Sequence, residues 1–267
     1  RVPAYPLSPF GTVSHVGPMT RTVEDAALML TVLAGFDARD WHALPATGCD
    51  YRVGLNDGVA GLRVAYSPRL GYAQVHPEVA TVVAGAVAVL ADLGARVEEV
   101  DPGFGDPREV FDRHWYAGAA NALASLPAAH WEKLDPGLRE VAEAGRKIAL
   151  MDYLAAVNER GQLGQRMNLF HEDYDLLVTP TLPIPAFAVG QELADPANQR
   201  RWPDWTPFSY PFNLTQQPAI SVPCGFTGAG LPVGLQIVGP KYADGLVLRA
   251  ARAFESRCPG RLPALPQ

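Results

Sequence analysis

The residues that most often carry chemistry are scattered along this sequence. Its six histidines share no metal-ligand spacing, and its three cysteines lack a C-x-x-C pattern. Glu98 and Glu99 are adjacent carboxylates in a predicted strand, where neighbouring side chains point to opposite faces. The hydrolase motifs G-x-S-x-G, S-x-x-K and H-E-x-x-H do not occur. The sequence therefore offers no recognisable metal site, cofactor site or catalytic residue.

Residues that could shape a substrate pocket concentrate between Thr179 and Phe212. This proline-rich segment of roughly 30 residues exceeds the ~12–15 residues at which loops without regular structure become uncommon and are usually functional. Its aromatic residues include Trp202, Trp205, Phe208, Tyr210 and Phe212. They either form an aromatic wall beside a substrate cleft or pack on the core, as large aromatic side chains usually do. The sequence alone leaves both possibilities open.

Helices and strands alternate on either side of this segment. Thr22 and Asp25 form a predicted capping box before an amphipathic helix. Leu62–Tyr66 and Ala95–Val100 are predicted strands that flank a helix beginning at Pro77. Such a βαβ unit implies parallel strands joined by a right-handed crossover.

The second half of the chain begins with a mainly helical region, residues 107–170, interrupted near Pro127 and Pro136. Gly228–Gly230 is predicted to be a hairpin turn. The remaining predicted elements are three strands and a closing helix: Asp175–Thr179, Ala219–Pro223, Val233–Val238 and Ala243–Arg257. The pattern predicts one α/β layered unit.

Composition limits the classes of partner. The chain has 267 residues, of which 48% are hydrophobic, and a net charge of −6 without a basic block, which argues against nucleic-acid binding. No apolar stretch reaches the ~18 residues of a membrane span. No signal peptide is evident, so we expect a cytoplasmic protein that binds neither membranes nor nucleic acid.

Three ordered blocks carry a family resemblance. They are GPMTRTVEDAALMLTVLAG at 17–35, YDLLVTPTLPIPAF at 174–187 and FNLTQQPAISVPCGFTGAGLPVGLQIVGP at 212–240. Together they closely resemble the C-terminal half of proteins of the amidase signature family. The glutamyl-tRNA amidotransferase A component is a relative within that family. The resemblance implies an α/β fold with a mixed central sheet flanked by helices. It also implies that residues 1–267 are the C-terminal part of a single amidase signature domain.

The resemblance implies that the catalytic residues lie outside this chain. Family members use a Lys, a Ser in a cis peptide and a nucleophilic Ser, all of which precede a G-R-V-P segment. The chain begins with the Arg1-Val2-Pro3 of that segment. We therefore expect the catalytic N-terminal part to be absent and this chain to supply scaffold and part of the substrate pocket. In the intact enzyme, Ser would attack the amide carbonyl and water would resolve the acyl-enzyme.

Three positions bear on the substrate by comparison with the glutamine-using relative. In that relative an Asp binds the amino group of the substrate, and Thr206 occupies the position of this Asp. A register shift of two residues would bring Asp204 to the same position. Arg160, 14 positions ahead of Tyr174, is a candidate for the carboxylate-reading Arg, with a solvated helix arginine as the alternative. Gln216 replaces the Gly usual in N-L-x-G-x-P-A.

The predicted substrate contacts are Thr181, Trp205, Phe208 and Arg160. They suggest that the substrate is a small-molecule amide and that aryl or alkyl amides are preferred over glutamine. The alternative function is a non-catalytic scaffold or binding subunit that works with a separate chain, such as a glutamyl-tRNA amidotransferase A-like component. A third, an unrelated α/β binding domain, is disfavoured by the three ordered blocks. Strands exposed at the sheet edge are expected to promote dimerisation or other pairing.

Overall fold

The structure, a computed structural model, describes residues 2–259, which contain eight α-helices, five β-strands and two short 3-10 helices joined by loops. Arg1 of the G-R-V-P match lies outside the described residues. The helices are α1 (Val23–Leu33), α2 (Pro77–Asp92), α3 (Arg108–Ala122), α4 (Ala128–Trp131), α5 (Pro136–Gly145), α6 (Leu150–Asp173), α7 (Tyr210–Thr215) and α8 (Asp244–Arg257). The strands are β1 (Arg63–Tyr66), β2 (Arg96–Glu99), β3 (Leu176–Pro180), β4 (Ala219–Phe226) and β5 (Pro232–Val238).

The strands form one mixed sheet in the order β2-β1-β3-β5-β4. Strand β1 is parallel to both β2 and β3, whereas β5 is antiparallel to β3 and β4. The βαβ unit, the hairpin at Gly228–Gly230 and the mixed sheet flanked by helices are thus confirmed. The sheet ends on β2 at one edge and on β4 at the other.

Alternating side chains of the strands divide the core between the two faces of the sheet. Val64 and Leu176 pack on one face with α1, α2 and α8. Ala65 and Leu177, each the next residue along its strand, pack on the other face with α3, α6 and α7. This alternation follows from the two-residue period of a strand. It explains why β3, with helices on both sides, is buried along its whole length.

Local signals at the helix ends act as the sequence predicts. The Thr22 hydroxyl accepts a hydrogen bond from the Asp25 backbone N–H at 3.1 Å and caps α1. Pro77 and Pro136 begin α2 and α5, where a missing backbone N–H costs no helical hydrogen bond. The break near Pro127 is also present, because α3 ends before it.

Burial disfavours the charged form of three histidines, His15, His114 and His171. Burial lowers the pKa of His114 and of His171 below the ordinary 6.5. The Nε2 atoms of both rings are buried and have no hydrogen-bond partner among the described residues. A proton added at either ring would therefore be poorly solvated.

We expect stability to fall as the pH decreases below about 6.5, where free histidine begins to take up a proton. The unfolded chain then binds protons that the folded chain does not, so the free energy of unfolding decreases toward the lowered pKa. Urea unfolding at pH 7.5, 6.5 and 5.5 measures this. His114→Gln should flatten the slope, and an unchanged slope would show that His114 does not contribute to it.

None of the helices formed by residues 2–259 is long and apolar enough to cross a membrane.

Candidate functional site

A groove of about 870 Å³ opens between the N-terminal loop, α7, edge strand β4 and the beginning of α8. The N-terminal loop contributes residues of the range 2–18 to one wall. The opposite wall presents polar groups from the strands and α7, including Asn213, Ser221 and Gln236. The groove therefore combines an apolar surface with a few hydrogen-bonding groups, as small-molecule sites do.

Gln236 is fixed by hydrogen bonds inside the fold. Its Nε2 donates to Thr179 Oγ1 at 3.0 Å and to the Phe208 carbonyl at 2.9 Å. These bonds connect β5 both to β3 and to the loop that precedes α7. Because the side chain is only 7% exposed, loss of its partners would leave a buried amide unsatisfied.

Thr181 lies just beyond the end of β3, and it contacts the groove through Ser221. The Thr181 and Ser221 hydroxyls are 2.7 Å apart, and the Thr181 N–H donates to the Gly234 carbonyl at 3.0 Å. A Cβ at Gly234 would meet both hydroxyls at 2.8 Å, so glycine is required for this close approach. The hydroxyl pair is exposed to solvent and can donate or accept a hydrogen bond.

Gln216 ends α7 in the left-handed conformation, with φ 61° and ψ 27°. This geometry explains why glycine is usual at that position in the resembling family, because a Cβ is disfavoured there. The Gln216 side chain lines both the groove and a second cavity of about 480 Å³ beside α6.

We expect Gln216→Gly to raise the free energy of unfolding by about 0.5–1 kcal/mol, because relief of the left-handed strain exceeds the added chain entropy of glycine. Urea unfolding measures the change. Gln165→Gly, an exposed position in α6 with helical geometry, is the matched control and should destabilise the chain. Equal destabilisation by both substitutions would contradict the strain argument.

The structure separates the aromatic residues of the 179–212 segment into core and surface. Phe208 is fully buried, so its ring belongs to the core of this chain. Trp202 lies edge-on to Phe111, with ring centroids 5.8 Å apart. Trp205 is half-buried, lies edge-on to Phe187 at 5.4 Å and donates from Nε1 to the Glu192 carbonyl at 3.2 Å. Roles of Phe208 and Trp205 in substrate binding stay predictions.

Thr206 and Asp204, the two candidates for contact with the amino group of a substrate, have different surroundings. Thr206 is 5% exposed and neutral, with its hydroxyl directed at the Pro203 carbonyl. Asp204 accepts hydrogen bonds from the Arg201 and Arg200 backbone N–H groups and forms an ion pair with Arg108 at 2.6 Å. Burial alone would raise the pKa of Asp204, but these bonds outweigh it and lower the pKa. Asp204 is therefore an anion already satisfied by its own chain.

Arg160 is bound within the fold and lines the second cavity rather than the groove. Its guanidinium donates to the Leu214 carbonyl at 2.7 Å and to the Thr12 carbonyl at 2.9 Å. Burial lowers the pKa of this guanidinium, because the charged form loses its water. The alternative of a solvated helix arginine does not describe a side chain bound in this way. The role of Arg160 as a substrate contact stays a prediction.

Metal and thiol chemistry find little support in residues 2–259. No group of three or more His, Cys, Asp or Glu residues in that range could hold a metal ion. Burial raises the pKa of the Cys224 thiol to about 12. This thiol is therefore protonated at neutral pH and is a poor nucleophile.

The groove residues Ser221 and Gln236 were not predicted from the sequence. Gln236 offered a signal, because a lone amide between Leu235 and Ile237 interrupts an otherwise apolar strand. Ser221 gave none beyond its place in a short strand. Helix α7 was also missed, since six residues are too few for a helical period to be recognised.

Comparisons with known proteins agree on one family. Residues 1–248 match the family described as Amidase. The acylamidase of Rhodococcus erythropolis is 38% identical over 252 residues, which cover 91% of this chain and 52% of the relative. The A component of the glutamyl-tRNA(Gln) amidotransferase of Moorella thermoacetica is 34% identical over 284 aligned positions, covering 96% of this chain and 57% of that protein.

A solved structure supports the same assignment. A bacterial aryl acylamidase of the amidase signature family superposes with a TM-score of 0.81 at 29% identity, covering 96% of this chain and 56% of that protein. The chain spans about half the length of the relatives it matches. With its sequence match, its mixed sheet and its structural neighbour in agreement, this chain belongs to the amidase signature family.

Proposed function

We propose that this chain is the C-terminal part of a single amidase signature domain and supplies the scaffold and one wall of the substrate pocket of an amide hydrolase. The family match over residues 1–248 carries this proposal. In the intact enzyme, a Ser outside this chain attacks the amide carbonyl, a Ser–Lys pair moves the protons, and water resolves the acyl-enzyme. The groove beside β4 is the pocket wall that this chain contributes.

The proposed substrates are aryl or alkyl amides. A neutral Thr206 offers no charge to a substrate ammonium, and Asp204 is already bound to Arg108. A free α-ammonium would lose its water there without gaining a partner. The acylamidase and aryl acylamidase names among the relatives agree with this substrate class.

A non-catalytic component that works with a separate chain is the second candidate. The similarity to the A component of an amidotransferase, 34% over 96% of this chain, favours it. Such a component would use the same groove and edge strand to contact its partner.

A chimera tests the first proposal. The part of the Rhodococcus acylamidase that this chain does not match is fused ahead of it, and hydrolysis of acetanilide and of simple aliphatic amides is measured. We expect turnover from the chimera and none from the acylamidase part alone. A chimera that unfolds cooperatively but shows no turnover would contradict the proposal and favour the non-catalytic component.

A further inference from the structure

The orientation of the Gln236 side-chain amide is decided by its neighbours. Its Nε2 donates one hydrogen to Thr179 Oγ1 at 3.0 Å and the other to the Phe208 carbonyl at 2.9 Å. The Thr179 hydroxyl donates its own hydrogen to the Pro180 carbonyl at 2.8 Å, so toward Gln236 it acts as an acceptor. An amide turned by 180° would place its oxygen against two acceptors. The hydrogen-bond network therefore fixes which end of the amide is nitrogen and which is oxygen.

The amide oxygen of Gln236 is the atom left to a ligand. The side chain is 7% exposed and lines the groove between α7 and β4. Its hydrogen bonds within residues 2–259 are the two from Nε2, yet Oε1 is not one of the fully buried polar atoms without a partner in that range. The oxygen therefore reaches the open space of the groove. Because most of the group is removed from water, a donor that meets Oε1 gains more than it would at an exposed oxygen.

Strand pairing places further polar groups on both sides of Gln236. In the register of the sheet it lies opposite Thr179 of β3 and opposite Ser221 of β4. Directly opposed residues of antiparallel strands share a face of the sheet, with Cβ atoms about 4.5–5.5 Å apart. Thr179 holds the amide from the core side, and Ser221 extends the polar surface to the sheet edge. Hydroxyl groups can donate or accept, whereas Gln236 offers the groove an acceptor alone.

We propose that Gln236 Oε1 is a specificity-determining contact, which accepts a hydrogen bond from the N–H of an amide substrate. This inference rests on the proposed function for the ligand class and adds the atom that selects within that class. A fixed acceptor pairs with primary and secondary amides, because these have an N–H. It repels the lone pairs of an ester oxygen and finds no donor in a tertiary amide. The groove therefore selects N–H amides over esters of the same shape.

Thr179 is a positioning residue that acts through Gln236. Its side chain is fully buried, and its hydroxyl connects the Pro180 carbonyl to Gln236 Nε2. Thr179→Val keeps the shape of the side chain but removes the acceptor, so the amide is then held by the Phe208 carbonyl alone. The amide can rotate about that one bond, and Oε1 loses its fixed position. Selection for an N–H should fall, although no atom that touches the ligand has changed.

Two probes, acetanilide and phenyl acetate, measure this selection. They have the same number of non-hydrogen atoms in the same order, and phenyl acetate has an oxygen where acetanilide has its N–H. Each is titrated into the 267-residue chain and followed by NMR, which requires no turnover. For ligands of this size we expect dissociation constants on the order of 1–10 mM. Acetanilide should bind about 3- to 10-fold more tightly than phenyl acetate, which is the worth of one hydrogen bond.

The variants test whether Gln236 causes the preference. Gln236→Met removes the oxygen and should bring the ratio of the two dissociation constants close to unity, and Thr179→Val should lower the same ratio. Thr227→Val is the matched control, because it removes a buried threonine hydroxyl that accepts from the Leu231 N–H in the β4–β5 hairpin, outside the groove. This control should keep the ratio of the parent. Melting temperatures establish that each variant is folded.

A parent chain that binds both probes equally would overturn the proposal, and so would one that binds neither at about 20 mM, above the dissociation constant expected for ligands of this size. A preference that survives in Gln236→Met overturns it as well. Where that variant does not fold, a preference that survives in Thr179→Val has the same meaning. Failure of the proposed function gives a different result: the chimera with the Rhodococcus part then shows no turnover, while the ratio measured on the chain still decides the role of Gln236.

Discussion

The 267-residue chain alone is expected to hydrolyse no simple amide above a matched blank. Enzymes accelerate such reactions by at least about 10⁶-fold, and acyl transfer of this kind needs an activated nucleophile. Burial raises the pKa of the Cys224 thiol to about 12, so this thiol is protonated at neutral pH and is a poor nucleophile. The resemblance places the catalytic Lys and both Ser residues outside this chain, so the expected loss is the whole of the catalysed rate.

Purified chain should be assayed on acetamide, benzamide and acetanilide, with and without a serine-directed inactivator. The matched blank is a preparation purified in the same way from cells without the gene, which controls for host amidases. Turnover that exceeds this blank and scales with the concentration of the chain would contradict the prediction. Far-UV circular dichroism on the same sample establishes that an inactive chain is folded.

The fold could be predicted where local signals and the core pattern agree. Pro77 begins α2, and the apolar run Leu176–Val178 is buried in the centre of the sheet as its sequence indicates. Strand limits shifted by one to three residues, because pairing partners decide where a strand ends. Strand β4 extends to Phe226 rather than Pro223, since β5 continues to pair with it past a bulge.

The candidate site was harder to predict, because its residues meet only through tertiary contacts. Thr181 was singled out from the sequence, yet its partner Ser221 is forty residues away and gave no signal. Phe208 could not be separated from Trp205 by sequence, since both are aromatic residues in one irregular loop. The carbonyl of Phe208 accepts a hydrogen bond from Gln236, so the chain fixes that residue in the core.

In the chimera with the Rhodococcus part, a phenyl-substituted amide should be hydrolysed with a higher kcat/KM than glutamine. Desolvating an unpaired charged group costs about 1–3 kcal/mol or more, which corresponds to a factor of about 5–150. Thr206 cannot compensate that cost, because it is neutral and directed at Pro203. Glutamine should therefore be the poor substrate.

Two substitutions separate the causes of this preference. Trp205→Ala should lower kcat/KM for the phenyl amide by about 10- to 150-fold, since burying an aromatic group contributes roughly 1.5–3 kcal/mol, and should leave kcat/KM for glutamine unchanged. Asp204→Asn should reduce stability, because the ion pair with Arg108 is lost, without changing the ratio of the two substrates. Phe187→Leu, which alters the ring packed against Trp205, is the control for a general disturbance of the loop.

The opposite outcome has a clear structural meaning. If glutamine is preferred and Asp204→Asn removes that preference, Asp204 must release Arg108 and the two backbone N–H groups in order to bind the substrate ammonium. The loop from 200 to 206 would then have to rearrange when substrate binds, because those three bonds satisfy the carboxylate now. If Trp205→Ala also leaves the phenyl amide unaffected, the indole does not line the pocket, and the bond from its Nε1 to Glu192 serves only to hold the loop. Measuring both substrates on both variants therefore decides between an apolar pocket beside Trp205 and a charged one at Asp204.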